Sequence, residues 1–350
     1  MVKYTLAWLS HSRTSDYCAF LMQSSPQDQI PSPPGIVDAL IAGFDTVANH
    51  LELVLFPLVL DVWLWLGPHL RIHTLVVAVL QDIAALQPPG SENADLYQTA
   101  LDVWRELSTR INLFAVLRTF PIGIPSLMTG RMPLNTPLGS ASLVDLPSWG
   151  MVVALWGIFL VIGIVLGTLY FLLTARAATQ QEASPPLLKD WVYASGQIFL
   201  LAVLWMLSLL FVVTPLSVVA AVMGAMGALG QIALFITIGI ALWMLLPLLF
   251  AAHGVFVHRL FLLRSILYGV RVARFTMPST SLFFLSLFVL SRGLDLLWSV
   301  PAETSWLTLV GIAGHAFIAT ALLAASFIYY QRAGDWVQQM LDRVQATRVA

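Results

Sequence analysis

The chain is poor in charge. Of its 350 residues only 10% are Asp, Glu, Lys or Arg, where a water-soluble domain carries roughly 25%. That deficit excludes an ordinary soluble globule and a disordered chain, both of which rely on charge to stay in water. The 17 basic and 18 acidic residues leave a formal net charge of -1, so no overall field gathers nucleic acid. One cysteine, Cys18, excludes an intrachain disulfide framework and any site built from several thiolates. No cleavable signal peptide is visible, because the apolar run Leu6–Leu9 gives way at once to polar residues and an h-region needs about 7–15 apolar residues. No GxSxG, HExxH, Walker or DxxD-type phosphate motif stands in a credible context. No cofactor is expected.

What the chain has is apolar length. Hydrophobic residues make up 59% of it, and its mean hydropathy is +0.84. A membrane helix needs about 20 mostly apolar residues. Segments 149–174, 281–300 and 305–329 meet that requirement, and residues 191–258 contain no Asp, Glu, Lys or Arg over 68 positions. A turn at the glycine-rich stretch Met223–Gly230 divides this block into two spans, 194–222 and 231–257, with Pro215 and Pro247 as candidate kinks. Residues 53–66 (LVLFPLVLDVWLWL) extend a helix that starts near Ile36, after Pro33-Pro34-Gly35. The expected fold is all-α: a polytopic integral membrane helical bundle of about six transmembrane helices, with a small helical extracytoplasmic insertion.

The domains expected on this scheme are a disordered tail at 1–35, or residues preceding a later start codon, and an amphipathic helix running into the first span at 36–67. The insertion follows at 68–148 and the second span at 149–174. A hairpin of spans occupies 194–257, a basic connector 258–280, the last two spans 281–329 and a terminal tail 330–350. With both termini in the cytoplasm, the inner segments hold 11 of the 17 basic residues and the two short outer loops hold none, as the positive-inside rule requires. Trp63, Trp65, Trp149, Trp298 and Trp306 fall near the outer interface, where an aromatic belt is expected. This reading places the chain in a bacterial cytoplasmic membrane.

Within the insertion, residues 71–86 and 94–119 read as helices. Pro121 ends the second, and a proline-rich stretch near 30 residues follows. That stretch is either an outer cap sealing the bundle or a mobile lid over a cavity. His69 and His73 stand at i, i+4, the spacing of two metal ligands on one helix face, yet no carboxylate or third histidine completes a set. His253 reads as a hydrogen bonder at a helix end, and the GxxGxxG at Gly224, Gly227 and Gly230 as a turn. Gly163 and Gly167 form GxxxG, and Ala316, Thr320 and Ala324 repeat the small-residue spacing; both permit close packing.

Ionisable residues inside a membrane are costly and are functional candidates for that reason. Asp61, Arg292, Asp295 and His315 qualify, and all four fall in the outer half of one bundle. Two readings stand: a structural ion pair in which Arg292 finds Asp61 or Asp295, and a substrate or proton site. A second pattern is a pair of charged stripes. Asp38, Asp45 and Glu52 recur every seven residues, as do Arg264 and Arg271, with Arg259 and Arg274 close by. The arginines either bind lipid headgroups or answer the acidic stripe.

The basic connector RSILYGVRVARF, a span ending LLWSVP and the small-residue-rich GIAGHAFIATALLAASFIYYQR together carry a resemblance over residues 190–335. They look like bacterial multi-pass proteins related to the membrane domain of glycerophosphodiester phosphodiesterases. The resemblance implies a six-helix membrane fold and no established activity, for nothing here is large enough to be the phosphodiesterase barrel. The N-terminal half, with PLVLDVWLWLGP, is assigned to a narrower relative of that group. The first expectation for function is a structural or lipid-organising accessory protein, with membrane lipids as partners and a second copy or another membrane protein left open. The second is a transporter or channel component using the outer polar cluster, and the third a membrane-embedded enzyme.

Overall fold

The computed structural model describes residues 32–86, 94–180, 185–208, 210–211, 214–224, 227–245 and 250–349, and every element below belongs to the unit Pro34–Ala350. The expected tail, apart from its last residues, lies outside the described residues, as do Cys18 and Pro247. Helix α1 (Ile36–Asn49) starts after the two prolines, and a short 3-10 turn (Leu51–Val54) leads into α2 (Leu55–Leu66). The chain bends by 92° between α1 and the segment Leu51–Leu66.

The insertion then runs through β1 (His69–Arg71), α3 (His73–Ala85), α4 (Ala94–Arg110), a 3-10 turn (Leu113–Arg118) and α5 (Met128–Arg131). Three short strands close it: β2 (Asn135–Thr136), β3 (Gly139–Ser140) and β4 (Leu143–Asp145). Strand β1 pairs parallel with β4, Leu70 opposite Val144, and β2 pairs antiparallel with β3. The remainder is helical: α6 (Trp149–Thr179), α7 (Leu187–Ser208), α8 (Thr214–Gly224), α9 (Ala228–Leu245), α10 (His253–His258), α11 (Leu262–Phe275), α12 (Met277–Trp298) and α13 (Leu307–Val349).

Among the described residues, α6, α7, α12 and α13 are long and apolar enough to cross a membrane, and the bent pair at the start would make a fifth. Their outward faces are apolar: Val153, Ile158 and Val161 on α6 and Leu282, Leu285 and Phe288 on α12 are exposed. Such surfaces suit lipid and not water. The chain is therefore a helical bundle compatible with a multi-pass membrane protein. The described residues bear out four or five of the expected six, and the difference lies in residues 191–258, where part of the chain is outside the described residues. Among the described residues the first expected span of that block comprises α7 up to Ser208, a π-helical pair at 210–211 and α8 from Thr214. The second is divided into α9 and the short α10.

The insertion also departs from expectation. Its second helix ends at Arg110, nine residues early, because the Asn112 carboxamide accepts the N–H of Phe114 and starts a 3-10 turn instead. The same oxygen accepts the N–H of Leu70 and ties the turn to β1. The proline-rich stretch after it is latched down. Arg131 donates to the carbonyl of Pro301 at 2.6 Å, the Glu303 carboxylate accepts the N–H of Leu134 at 3.0 Å, and the Trp65 indole donates to the Glu303 carbonyl at 3.0 Å.

Helix α13 is the central element. Its small residues Ala316, Thr320, Ala321, Ala324 and Ala325 are all fully buried. Helix α1 packs across it through Ala39, Gly43 and Val47, one face at spacings of four. At Gly43 a Cβ would stand 2.6 Å from the Ala321 carbonyl oxygen and from the Ala325 backbone nitrogen, so only glycine lets the two backbones meet. Replacing Gly43 by Leu is expected to lower the thermal midpoint of the purified protein, by an overpacking penalty of about 1–3 kcal/mol or more. Gly157→Leu, where nothing lies within 4 Å of the added atom, should leave it unchanged; equal behaviour of the two variants would refute the contact.

Candidate functional site

Asp61 is completely buried on α2. Its carboxylate accepts the Ser126 hydroxyl, the Leu127 N–H at 2.9 Å and the Met128 N–H at 3.1 Å. Ser126 in turn accepts the Thr129 N–H at 3.1 Å. A charge removed from water is tolerated only when its lone pairs are filled in this way. The latch thus joins the first span to the insertion, and it holds residues 119–128 against the bundle.

That segment does not stay above the bundle. The methyl group of Thr119 and the carbonyl of Leu117 pack on Gly163, and the backbone of Gly123 packs on Gly167; added Cβ atoms would lie 2.4 Å and 2.9 Å from these neighbours. Gly163 and Gly167 are 14 and 18 residues into the 31-residue α6, about 21 Å and 27 Å from its start. The helix exposes apolar side chains from Trp149 to Leu166, so the contact lies at the depth of lipid chains. The GxxxG of α6 therefore admits irregular backbone from its own chain and does not join two helices. Backbone without helical or strand hydrogen bonds persists at that depth only where protein buries it or it lines a cavity. Here the Thr119 hydroxyl donates to the Ile122 carbonyl at 2.6 Å and the Thr119 N–H to the Val116 carbonyl at 3.0 Å.

Beside this segment is a groove of about 780 Å³ between α6 and α7. Trp156, Leu160 and Ile164 form one wall, Phe199, Ala202 and Val203 the other, and residues 115–125 the roof. Phe120 of the roof meets Trp205 of α7 edge-on, with ring centroids 5.4 Å apart. The lining contains one basic residue, Arg118, and no acidic one. Arg118 is exposed, and its guanidinium makes no ion pair or hydrogen bond with a described residue.

Of the four ionisable residues flagged inside the spans, the structure brings two into contact. His315 donates from Nδ1 to Asp295 at 2.8 Å, across α13 and α12. The His315 Nε2 is buried and has no partner among the described residues. Asp61 and His315 interact electrostatically without an ion-pair contact. Arg292 is apart from all three. It is exposed, lies over the Phe288 ring at 5.9 Å, and pairs with neither carboxylate within 4.0 Å. Asp295 is turned to His315, and the Asp61 oxygens are filled by the insertion.

The charged stripes stay separate too: no ion pair joins them among the described residues. Asp38 and Asp45 are exposed on α1, and Glu52 contacts His50 at 3.1 Å. Helix α1 docks with its small-residue face on α13, which leaves the acids pointing away. Arg259 has a different task. With Arg176 it grips the buried Asp190, at 2.6 Å and 2.7 Å, and so joins α6, α7 and the residue after α10. Arg264, Arg271 and Arg274 are exposed on α11 beside the exposed Leu263, Leu267 and Phe275.

The histidine pair at 69 and 73 does not share a helix. His69 is in β1 and donates to the Leu64 carbonyl at 3.2 Å, while His73 opens α3 and meets Ser108 at 2.8 Å. Burial holds the His69 imidazole below its usual range against the opposing pull of that hydrogen bond, with Arg71 adding to the fall. His253 meets Ser326 at 3.0 Å inside the bundle. Among the described residues no three His, Cys, Asp or Glu side chains converge as metal ligands would.

Sequence reasoning passed over Arg118 and Asp190. Arg118 read as a charge at a helix end, although the run FPIGIPSLM after it lacks any charge and is apolar enough to leave water. The chain matches no family model, no curated protein and no solved structure.

Asp61→Leu removes the acceptor for one hydroxyl and two N–H groups, each unsatisfied group costing about 1–3 kcal/mol. The variant is expected to lose thermal stability and to become cleavable by protease between residues 115 and 128. Arg292→Ala, which breaks no ion pair, should behave as the parent does. Protection of that segment in Asp61→Leu equal to the parent's would remove the latch.

Proposed function

We propose that this protein organises lipid along its flank and passes no solute through its centre. The observation that supports this is the location of open space. The large apolar volume is lateral, between α6 and α7, whereas the bundle beside it is filled by chain latched to Asp61. Binding sites for apolar ligands are clefts of about 300–1,000 Å³ with few polar groups, and the groove has that character. The outward face of α11 adds to the reading: an interfacial helix that mixes Leu and Phe with arginine sits at the headgroup boundary and attracts anionic lipid. The resemblance of residues 190–335 to the membrane domain of glycerophosphodiester phosphodiesterases belongs to this proposal and adds no activity to it.

The proposed setting is a bacterial inner membrane with six passes and both termini cytoplasmic, α9 and the residues up to 257 making the fourth pass. With Cys18 replaced by Ser, Ser140→Cys should react with an impermeant thiol reagent added to intact cells, and Gln338→Cys should react only after lysis. The opposite pattern reverses the orientation.

A second reading has one observation in its favour. The buried, unpartnered Nε2 of His315, beside Asp295 and in the field of Asp61, suits a proton or solute site in a transporter component. Reconstitution separates the two. Under the lipid reading, spin-labelled phospholipid in proteoliposomes shows a motion-restricted population, and an imposed pH gradient decays as in empty vesicles. A decay accelerated by the protein and abolished by His315→Leu would instead establish transport.

A further inference from the structure

The groove and Arg118 together define a ligand. The carbonyl of Arg118 lies against Gly123, and Gly123 against Gly167 of α6. The Arg118 backbone is therefore close to the level of the middle of α6. A cation at that depth, exposed and without a partner among the described residues, is unfavourable unless it reaches water or meets an anion. The neighbouring groove supplies no anion of its own, since its lining has no Asp or Glu. The Thr119 hydroxyl, also in the lining, is engaged by Ile122. Arginine is thus the one charged group at this end of the groove, and its planar fork matches a phosphate with two parallel hydrogen bonds. Around it lie the walls of Leu160, Ile164, Phe199 and Val203, suited to a hydrocarbon chain.

We propose that the α6–α7 groove is a specific binding site for one glycerophospholipid, with an acyl chain between the helices and the phosphate on Arg118. This rests on reading the protein as lipid-organising and adds to it the recognition element. The long arginine side chain can extend toward the interface while its stem stays in apolar surroundings. The phosphate is still drawn into the groove, below its ordinary headgroup depth, to meet Arg118. A neutral lipid with the same chains fills the groove but leaves the guanidinium unanswered. The site accordingly selects by the phosphate and not by chain alone.

The test uses the full chain in mild detergent, with native mass spectrometry after adding phosphatidylglycerol or a diacylglycerol with the same acyl chains. The parent should hold one phosphatidylglycerol about tenfold more tightly than the diacylglycerol, as expected for one charge-assisted contact. Arg118→Ala should erase that difference and Arg118→Lys restore part of it. Ala202→Trp, or Ala202→Phe if the former does not fold, should reduce binding of both lipids. Arg118→Ala binding phosphatidylglycerol like the parent, with the Ala202 variants losing it, would overturn phosphate recognition and leave the lipid reading standing. Binding unchanged in all variants would overturn both. A lipid-free dimer lost on filling the groove would identify its occupant as a second copy and also overturn the proposal.

Discussion

The insertion depends on one buried carboxylate. Irregular backbone below a membrane surface has no water to satisfy it, and each open N–H there is a large penalty. Asp61 fills two such groups and a hydroxyl at the return of the segment, and Asn112 fixes its entry. Between these anchors the chain descends to the middle of α6, where Gly163 and Gly167 make room for it. The groove beside α7 is a consequence of that descent: a segment wedged along one face of α6 holds α7 away and leaves space at the flank. Recognition at Arg118 depends on the same geometry.

The other end is held by different means. There Asp190 answers two arginines at once and gathers the ends of α6 and α7 with the residue after α10. A buried ion pair is weak evidence of net stability, because desolvation offsets much of its attraction. Its use is to fix geometry. Gln197 extends the arrangement by accepting the N–H of Leu262 at 2.9 Å, which sets the start of α11. The result is a helix whose Ser265, Gly269 and Val272 face inward while its arginines face out.

The membrane class was legible from the scarcity of charge, and α6, α12 and α13 from their length. Their boundaries were less so, since nothing in an uncharged block says where Pro215 will start a new helix and where it will only kink one. Asp61, Asp295 and His315 were legible as costly residues, and two of them do meet. Which group meets which depends on side-chain direction across three elements, and sequence spacing carries no such information; Arg292 was paired on proximity alone and turns instead to Phe288. The small residues of α6 announced a close contact without its partner, because the partner is an aperiodic segment about 40 residues upstream. Asp190 pairs with Arg176 and Arg259, which lie 14 and 69 residues away, and spacing carries no sign of that meeting.

Helix α13 runs unbroken for 43 residues, about 64 Å against a hydrocarbon layer of roughly 30 Å. One end touches Trp298 through Gly311 and Gly314, and α1 crosses it midway at Ala321 and Ala325. A rod twice as long as the layer it pierces behaves as a mast. It is continuous from Leu307 to Val349. A change of tilt at the Gly311 end is thereby shared with the exposed last turns around Arg343, which belong to the same helix.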